Sequence, residues 1–362
     1  MAGVEIVPAI DDVAERGSRC CCCRPLCLRY CEWNMMKKVL GVFLALFALL
    51  VGYLLYINFI PGSSDHGPPS PEGFAGYYQA EALEYLQYAR AAFCTEDHIK
   101  KWDCGSICDA VSLTPGTIRF LGPGEVYKVQ GFVAVLPNNS SNESGRCIVS
   151  FRGSVDTGNW AADSKTWKMD WPHQGSWCSL CQVHHGFVGA YEELKGSMLS
   201  ALQELNCSKV AVTGHSLGAA MATLATLELR SVRGMKVEPV YLFGSPRVGN
   251  VAFAEAFDSA AKQQGVSPPA WRVVHYHDPV PRLPPMSMSY RHVSREVYYY
   301  TYNENAHRVC QAEGEDQDCS AGISASACLD KEHVTYFNLT LAHSKMEHQC
   351  VRTTGSSEEL YV

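Results

Sequence analysis

The chain has 362 residues, 47% of them hydrophobic, and a formal net charge of −7. That is ample for one large core and does not demand a second domain. The acidic balance, with no extended basic run, excludes a polyanion-binding surface as the organising feature, so no nucleic-acid partner is expected.

Residues 1–38 read as a polar tail holding Cys20, Cys21, Cys22, Cys23, Cys27 and Cys31 among arginines. Four consecutive cysteines cannot easily wrap one metal ion. Beside a membrane they are candidates for S-palmitoylation, against the alternative of a reduced tail with no role. Residues 39–60, VLGVFLALFALLVGYLLYINFI, form an uncharged apolar run long enough to span a bilayer as a helix. A cleaved signal peptide is the competing reading, but its apolar core is shorter and no small-x-small site precedes Pro61. A retained anchor is therefore expected. Arg24, Arg29, Lys37 and Lys38 precede the run, and the first basic residue after it is Arg90. The positive-inside rule then places residues 1–38 in the cytosol and the rest in a lumen or outside the cell.

Two features after the run agree with that side. N-x-S/T sequons occur at Asn138, Asn139, Asn142, Asn206 and Asn338, which makes them N-glycosylation candidates. Eleven of the seventeen cysteines also follow it, a density suited to an oxidising compartment.

Residues 61–73 are a Pro/Gly/Ser linker, and a domain-sized segment 74–352 precedes a polar tail, 353–362. Apolar residues at helical spacing over 78–93 predict a packing helix. Residues 126–136 and 147–151 are rich in β-formers and predict a hairpin around the sequon loop. Trp160, Trp167, Trp171 and Trp177 then crowd a polar segment, as an apolar binding face, a cover over a site, or packing under a long loop. A helix is expected over 187–205, and His292 is expected to begin a strand. Strands at 209–213, 237–243 and 271–276 alternate with helices at 219–229 and 252–262. That alternation predicts an α/β fold with a mainly parallel sheet, whose ligands lie beyond the carboxyl ends of the strands.

At one such end stands Gly214-His215-Ser216-Leu217-Gly218, a G-x-S-x-G between a strand and a helix. In that context the serine is a nucleophile candidate, its neighbours small because side chains there would collide. The alternative is an ordinary glycine-bounded turn with an idle serine. A serine hydroxyl needs a histidine base, and the histidine needs a carboxylate to fix its tautomer. Asp278 follows a strand directly in a proline-stiffened loop. Asp258 lies in a predicted helix, and Asp316 and Asp318 in a polar loop. For the base, His292, His307, His333, His343 and His348 all lie downstream. His333, read as opening a helix-like segment, has a small lead. For an oxyanion, the backbone N–H of Leu217 and the Ser154 loop after an early strand are the candidate donors.

Four separate stretches, VHHGF (183–187), VAVTGHSLG (210–218), GSPRVGN (244–250) and HDPVPRLPP (277–285), resemble signatures of the fungal-type class 3 lipases, the family of the Rhizomucor lipase, in the family's order. The resemblance covers residues 74–350. It implies an α/β-hydrolase fold with a helical lid and a Ser-His-Asp triad of Ser216, His333 and Asp278. His333 is assigned because Val334-Thr335-Tyr336-Phe337 matches the family's segment after the base. Glu332 stands where the family usually has aspartate, and His292 matches a non-catalytic histidine. Ser154 is implied as second oxyanion donor, and Asn159, Trp160 and Asp163 as lid residues. Residues 165–181 are longer than in the family. The implied disulfides are Cys94–Cys350, Cys104–Cys108 and Cys310–Cys319, leaving Cys147, Cys178, Cys181, Cys207 and Cys328, an odd set with at least one cysteine outside any internal pair. For Cys178 and Cys181 a disulfide is expected rather than zinc.

The implied activity is hydrolysis of acylglycerol esters at a membrane or lipid-droplet interface, through an acyl-enzyme and with no metal or organic cofactor. A phospholipase A1 or other carboxylesterase on the same site is the near alternative. A non-catalytic membrane-anchored lipid-binding protein is the alternative of another class.

Overall fold

The computed structural model describes residues 76–137, 145–154, 167–173, 175, 177–293, 295–311, 314–324, 327–328, 330–341, 346 and 349–351. The chain divides into 1–64 and 65–362, and every described residue belongs to the second unit. The expected anchor at 39–60, the tails and linker, the sequons at Asn138, Asn139 and Asn142, and the lid residues Asn159, Trp160 and Asp163 lie outside the described residues. Among the described residues no helix is long and apolar enough to cross a membrane.

In chain order the elements are α1 (Gln79–Ala91), α2 (Glu96–Lys101), α3 (Gly105–Asp109), β1 (Arg119–Leu121), β2 (Gly131–Val135), β3 (Arg146–Phe151), β4 (Lys168–Asp170), β5 (Gln182–His184), α4 (His185–Glu204), β6 (Lys209–His215), α5 (Leu217–Ser231), β7 (Lys236–Phe243), α6 (Val251–Gln263), β8 (Trp271–His275), β9 (Glu296–Tyr299), β10 (His307–Val309), α7 (Asp330–His333), β11 (Thr335–Tyr336) and β12 (Leu339–Thr340). Eight strands form one sheet in the order β1-β2-β3-β6-β7-β8-β9-β10. Pairing is parallel from β3 through β9 and antiparallel at both margins. This is the mainly parallel α/β sheet expected from the alternation of strands and helices.

The sheet has a core on each face because alternate residues of a strand point opposite ways. In β6, Val210 and Val212 join the cluster under α4, α5 and α6, while Ala211 joins the cluster under α1. In β3, Val149 and Phe151 face the first side and Ile148 the second. Ala82, Tyr85, Leu86 and Ala89 form the buried stripe of α1, at the spacing that predicted it. Helix α5 is buried from Leu217 through Arg230, which suits a helix held between the sheet and its neighbouring helices.

Several local expectations are corrected. Residues 126–130 are not strand; β2 starts at Gly131, where the chain pairs with Phe151. His292 does not begin a strand: its ring is tied to Pro281 O at 2.7 Å, and β9 starts only at Glu296. His333 closes the one-turn helix α7 rather than opening a helix, and Thr335–Tyr336 turns back on Leu339–Thr340 as a hairpin. Of the tryptophans, Trp171 is core, 1% exposed against Phe253, whereas Trp167 is 72% exposed.

Disulfides join Cys94–Cys350, Cys104–Cys108, Cys147–Cys207, Cys178–Cys181 and Cys310–Cys319, and Cys328 is free. The second pairing from the leftover set ties the start of β3 to the residue pair before β6. Asn206 and Asn338 are exposed, each at a positive φ in a turn.

Candidate active site

Strand β6 delivers Ser216 to the carboxyl edge of the sheet, and α5 leaves from it at once. Ser216 takes φ 58° and ψ −126°, a conformation costly for a side-chain-bearing residue. Its N–H donates to Phe243 O at 3.0 Å, and its carbonyl accepts from Ala219 N. The turn is possible only with glycines beside it. A Cβ on Gly214 would stand 2.4 Å from Gly218 O, and one on Gly218 would stand 2.3 Å from Phe151 O. Both obstacles are main chain, which has nowhere to move.

Three elements far apart in sequence meet at this serine. The Ser216 hydroxyl donates to His333 Nε2 at 2.8 Å, and His333 Nδ1–H donates to Asp278, 3.0 Å from each carboxylate oxygen. Asp278 lies just past β8, its N–H bonded to His275 O. Val280 N–H and the Tyr336 hydroxyl donate to its carboxylate at 2.8 and 2.5 Å. Burial alone would raise the Asp278 pKa. The positive charge available on His333, with hydrogen bonds from His333, Tyr336 and Val280, outweighs it and holds the carboxyl below its usual range. The acid is therefore ionised, and the imidazole keeps its Nδ1–H tautomer with Nε2 free to take the serine proton. Gly244, at φ 54°, makes room: a Cβ there would stand 2.9 Å from Asp278 Oδ2 and 3.1 Å from His333 Cε1.

The other histidines named as base candidates are placed elsewhere. His292 is buried and bonded to Pro281 O, and burial with Arg272 and Arg247 nearby lowers its pKa well below the ordinary value. His307 pairs in β10 with Tyr299. His343 and His348 lie outside the described residues. Among the acid candidates only Asp278 contacts His333.

The Ser154 loop follows β3 next to the elbow. A Cβ on Gly153 would meet His215 O at 2.8 Å and Ser216 Cβ at 3.2 Å, so this backbone lies against Ser216. Arg152 N–H donates to Gln130 O, the Arg152 guanidinium to Lys128 O, and the Gln130 amide to Ala92 O and Cys94 O. Those bonds fix the loop to the end of α1. Leu217 opens α5, where first-turn N–H groups have no acceptor within the helix and the helix dipole favours negative charge.

Two residues of the site carry no sequence signal of their role. His215 is 1% exposed, its Nε2–H donating to His333 O at 2.7 Å and its ring stacked on the His333 ring at 4.6 Å. Burial and the neighbouring His333 push its pKa down to about 3, so it is a neutral prop and adds no second cation. Tyr336 is the acid's second support. Its two-residue strand is too short to announce itself by pattern. Ser216 itself is 0% exposed.

Among the described residues one trio of possible metal ligands converges, Glu296, Cys310 and Cys319. The two sulfurs are joined to each other, which leaves no thiolate to ligate.

The arrangement can take a proton from a serine, hold the resulting cation against a buried carboxylate, and present helix N–H groups to an anion. A family model described as "Lipase (class 3)" matches residues 148–288, the span from β3 past Asp278. The secreted mono- and diacylglycerol lipase 1 of Fusarium solani is 33% identical over 271 residues, 70% of this chain and 74% of that protein. The structure of a Rhizomucor miehei triacylglyceride lipase is similar with a TM-score of 0.61 at 27% identity, over 74% of this chain and 98% of that one. A second solved structure, described as a triacylglycerol lipase whose catalytic centre is a serine protease triad, matches with a TM-score of 0.59 at 28% identity, over 74% of this chain and 98% of that one. The chain belongs to the class 3 lipase family.

Proposed function

We propose that the protein is a serine lipase hydrolysing carboxylic ester bonds of acylglycerols. The observation that carries it is the continuous hydrogen-bonded line from Ser216 Oγ through His333 to Asp278. His333 removes the Ser216 proton as the oxygen attacks the ester carbonyl, and the Leu217 N–H and Ser154 hold the oxyanion. The alkoxide of the glyceride leaves with the proton from His333, giving an acyl-serine. Water, deprotonated by the same histidine, then releases the fatty acid. Acylglycerols are favoured because the relatives that match over most of the domain are named for mono-, di- and triacylglycerols.

The same reading keeps residues 39–60 as a single membrane anchor with the catalytic domain on the lumenal or extracellular side. Its supports are the charge asymmetry around the run and the five disulfides, which suit an oxidising compartment.

The test uses the full chain with a fluorophosphonate probe and a panel of mono-, di- and triacylglycerols and phospholipids. Labelling and fatty-acid release are expected for the wild type and loss of both for Ser216→Ala, at least ~10³-fold. Undiminished hydrolysis in Ser216→Ala would sink the assignment, and release from phospholipid alone would move the substrate class.

A further inference from the structure

A second buried polar group adjoins the base. His275 ends β8, three residues before Asp278, and is 1% exposed. Both of its ring nitrogens face main-chain carbonyls: Nδ1 is 3.2 Å from Glu332 O and Nε2 is 3.2 Å from Tyr302 O. A carbonyl oxygen can only accept. A neutral imidazole has one N–H, so it would satisfy one of these oxygens and set a lone pair against the other. The imidazolium satisfies both.

The surroundings supply the balancing charge. Glu332 Oε2 is 3.7 Å from His275 Nδ1, with Glu332 1% exposed. Glu304, 4% exposed, also interacts electrostatically with His275 and Glu332. Lys331 Nζ lies 3.5 Å from Glu332 Oε1. Among the described residues the rings of Tyr276, Tyr302 and Tyr336 also lie near, at 6.4, 6.4 and 5.7 Å, and the Asp278 N–H is bonded to the His275 carbonyl. The Glu332 carboxylate beside the ring favours its charged form, while burial raises the pKa of Glu304 and favours that group's neutral form.

The contacts converge on the triad's own backbone. Glu332 O belongs to the residue before His333. The carbonyl of His275 accepts the N–H of Asp278 at 2.9 Å. Glu304 accepts the N–H of Asn338 at 2.9 Å, in the turn of the hairpin that follows the base. One ring thus links the strand that carries the acid to the helix that carries the base.

We propose that His275 is a positioning residue for the reaction: donating from both nitrogens as an imidazolium, it holds the carbonyl before His333 at a set distance from the strand of Asp278. The inference rests on the catalytic reading above. Its signature is a ring that carries a proton on both nitrogens, and a loss of kcat with KM held when that ring is replaced.

The full chain is tested as wild type and His275→Asn with a soluble p-nitrophenyl ester. In His275→Asn, kcat is expected to fall about ten- to a hundredfold with KM within a few-fold. A kcat unchanged in a folded His275→Asn overturns the proposal. So does a ring carrying a single N–H in the wild type, read by ¹⁵N correlation spectra of histidine-labelled protein near neutral pH. That spectrum decides the matter even where the variant fails to fold, and it is independent of activity. Failure of the catalytic reading shows instead as hydrolysis surviving Ser216→Ala while the His275 ring still carries two protons.

Discussion

His215 shows how much of this site is support rather than chemistry. Its side chain carries the carbonyl of His333 and stacks on the His333 ring. Its pKa is pushed from 6.5 to about 3, chiefly by burial, so the folded protein refuses a proton that the unfolded chain accepts. The unfolded state therefore binds more protons between those two values, and stability rises with pH across that window. The stabilisation is fully present above the unfolded value near 6.5 and is lost as pH falls toward about 3. Urea unfolding midpoints are expected to drop progressively over that interval, with a loss on the order of a few kcal/mol. In His215→Gln, which keeps an N–H donor but cannot titrate, the slope should flatten. An equal slope in the variant would show that other groups carry the acid sensitivity. Asp278 adds in the same direction but at lower pH, since its carboxyl is held below the ordinary value of 3.8.

The element that fixes the chemistry is the join of β6 to α5, where two glycines allow Ser216 its positive φ. Gly218→Ala puts a methyl group 2.3 Å from Phe151 O, and neither the strand nor the helix start can yield cheaply. A stability loss of about 1–3 kcal/mol or more is expected, read as a lowered thermal midpoint, with lost fluorophosphonate labelling in whatever still folds. A folded variant with full labelling would mean that the elbow relaxes more easily than its backbone contacts allow. This element is legible in sequence because two strong patterns meet there: alternating apolar residues end at a glycine-flanked serine, and an alanine-rich run begins. Asp278 is legible for a similar reason, at the end of β8 and before prolines. His333 is not, because α7 is one turn and β11 is two residues, too short for any period; only the resemblance of the residues after it singled it out. β1 escapes notice likewise, as three residues between glycine- and proline-rich turns. From sequence, Trp171 stays open between an apolar binding face, a cover and packing under a long loop; tertiary packing against Phe253 makes it core.

At the scale of the whole molecule, the sheet ends in two three-residue margins, β1 and β10, which leave little exposed edge for another chain to pair with. The long covalent link lies across the core instead. Cys94 closes the segment after α1, Cys350 stands at the far end of the described chain, and their bond spans a sequence separation of 256. Everything that makes the site, from the Ser154 loop through Ser216 and Asp278 to His333, lies within that ring. Limited proteolysis at one peptide bond inside it produces a nick, not two molecules. Such a nicked protein should run as a single full-size band on a denaturing gel without reductant and as two bands with it. Separation without reductant would show that the ring is open. With the ring closed, a protease in the same compartment can cut this domain once and still leave Ser216 and His333 on covalently joined pieces.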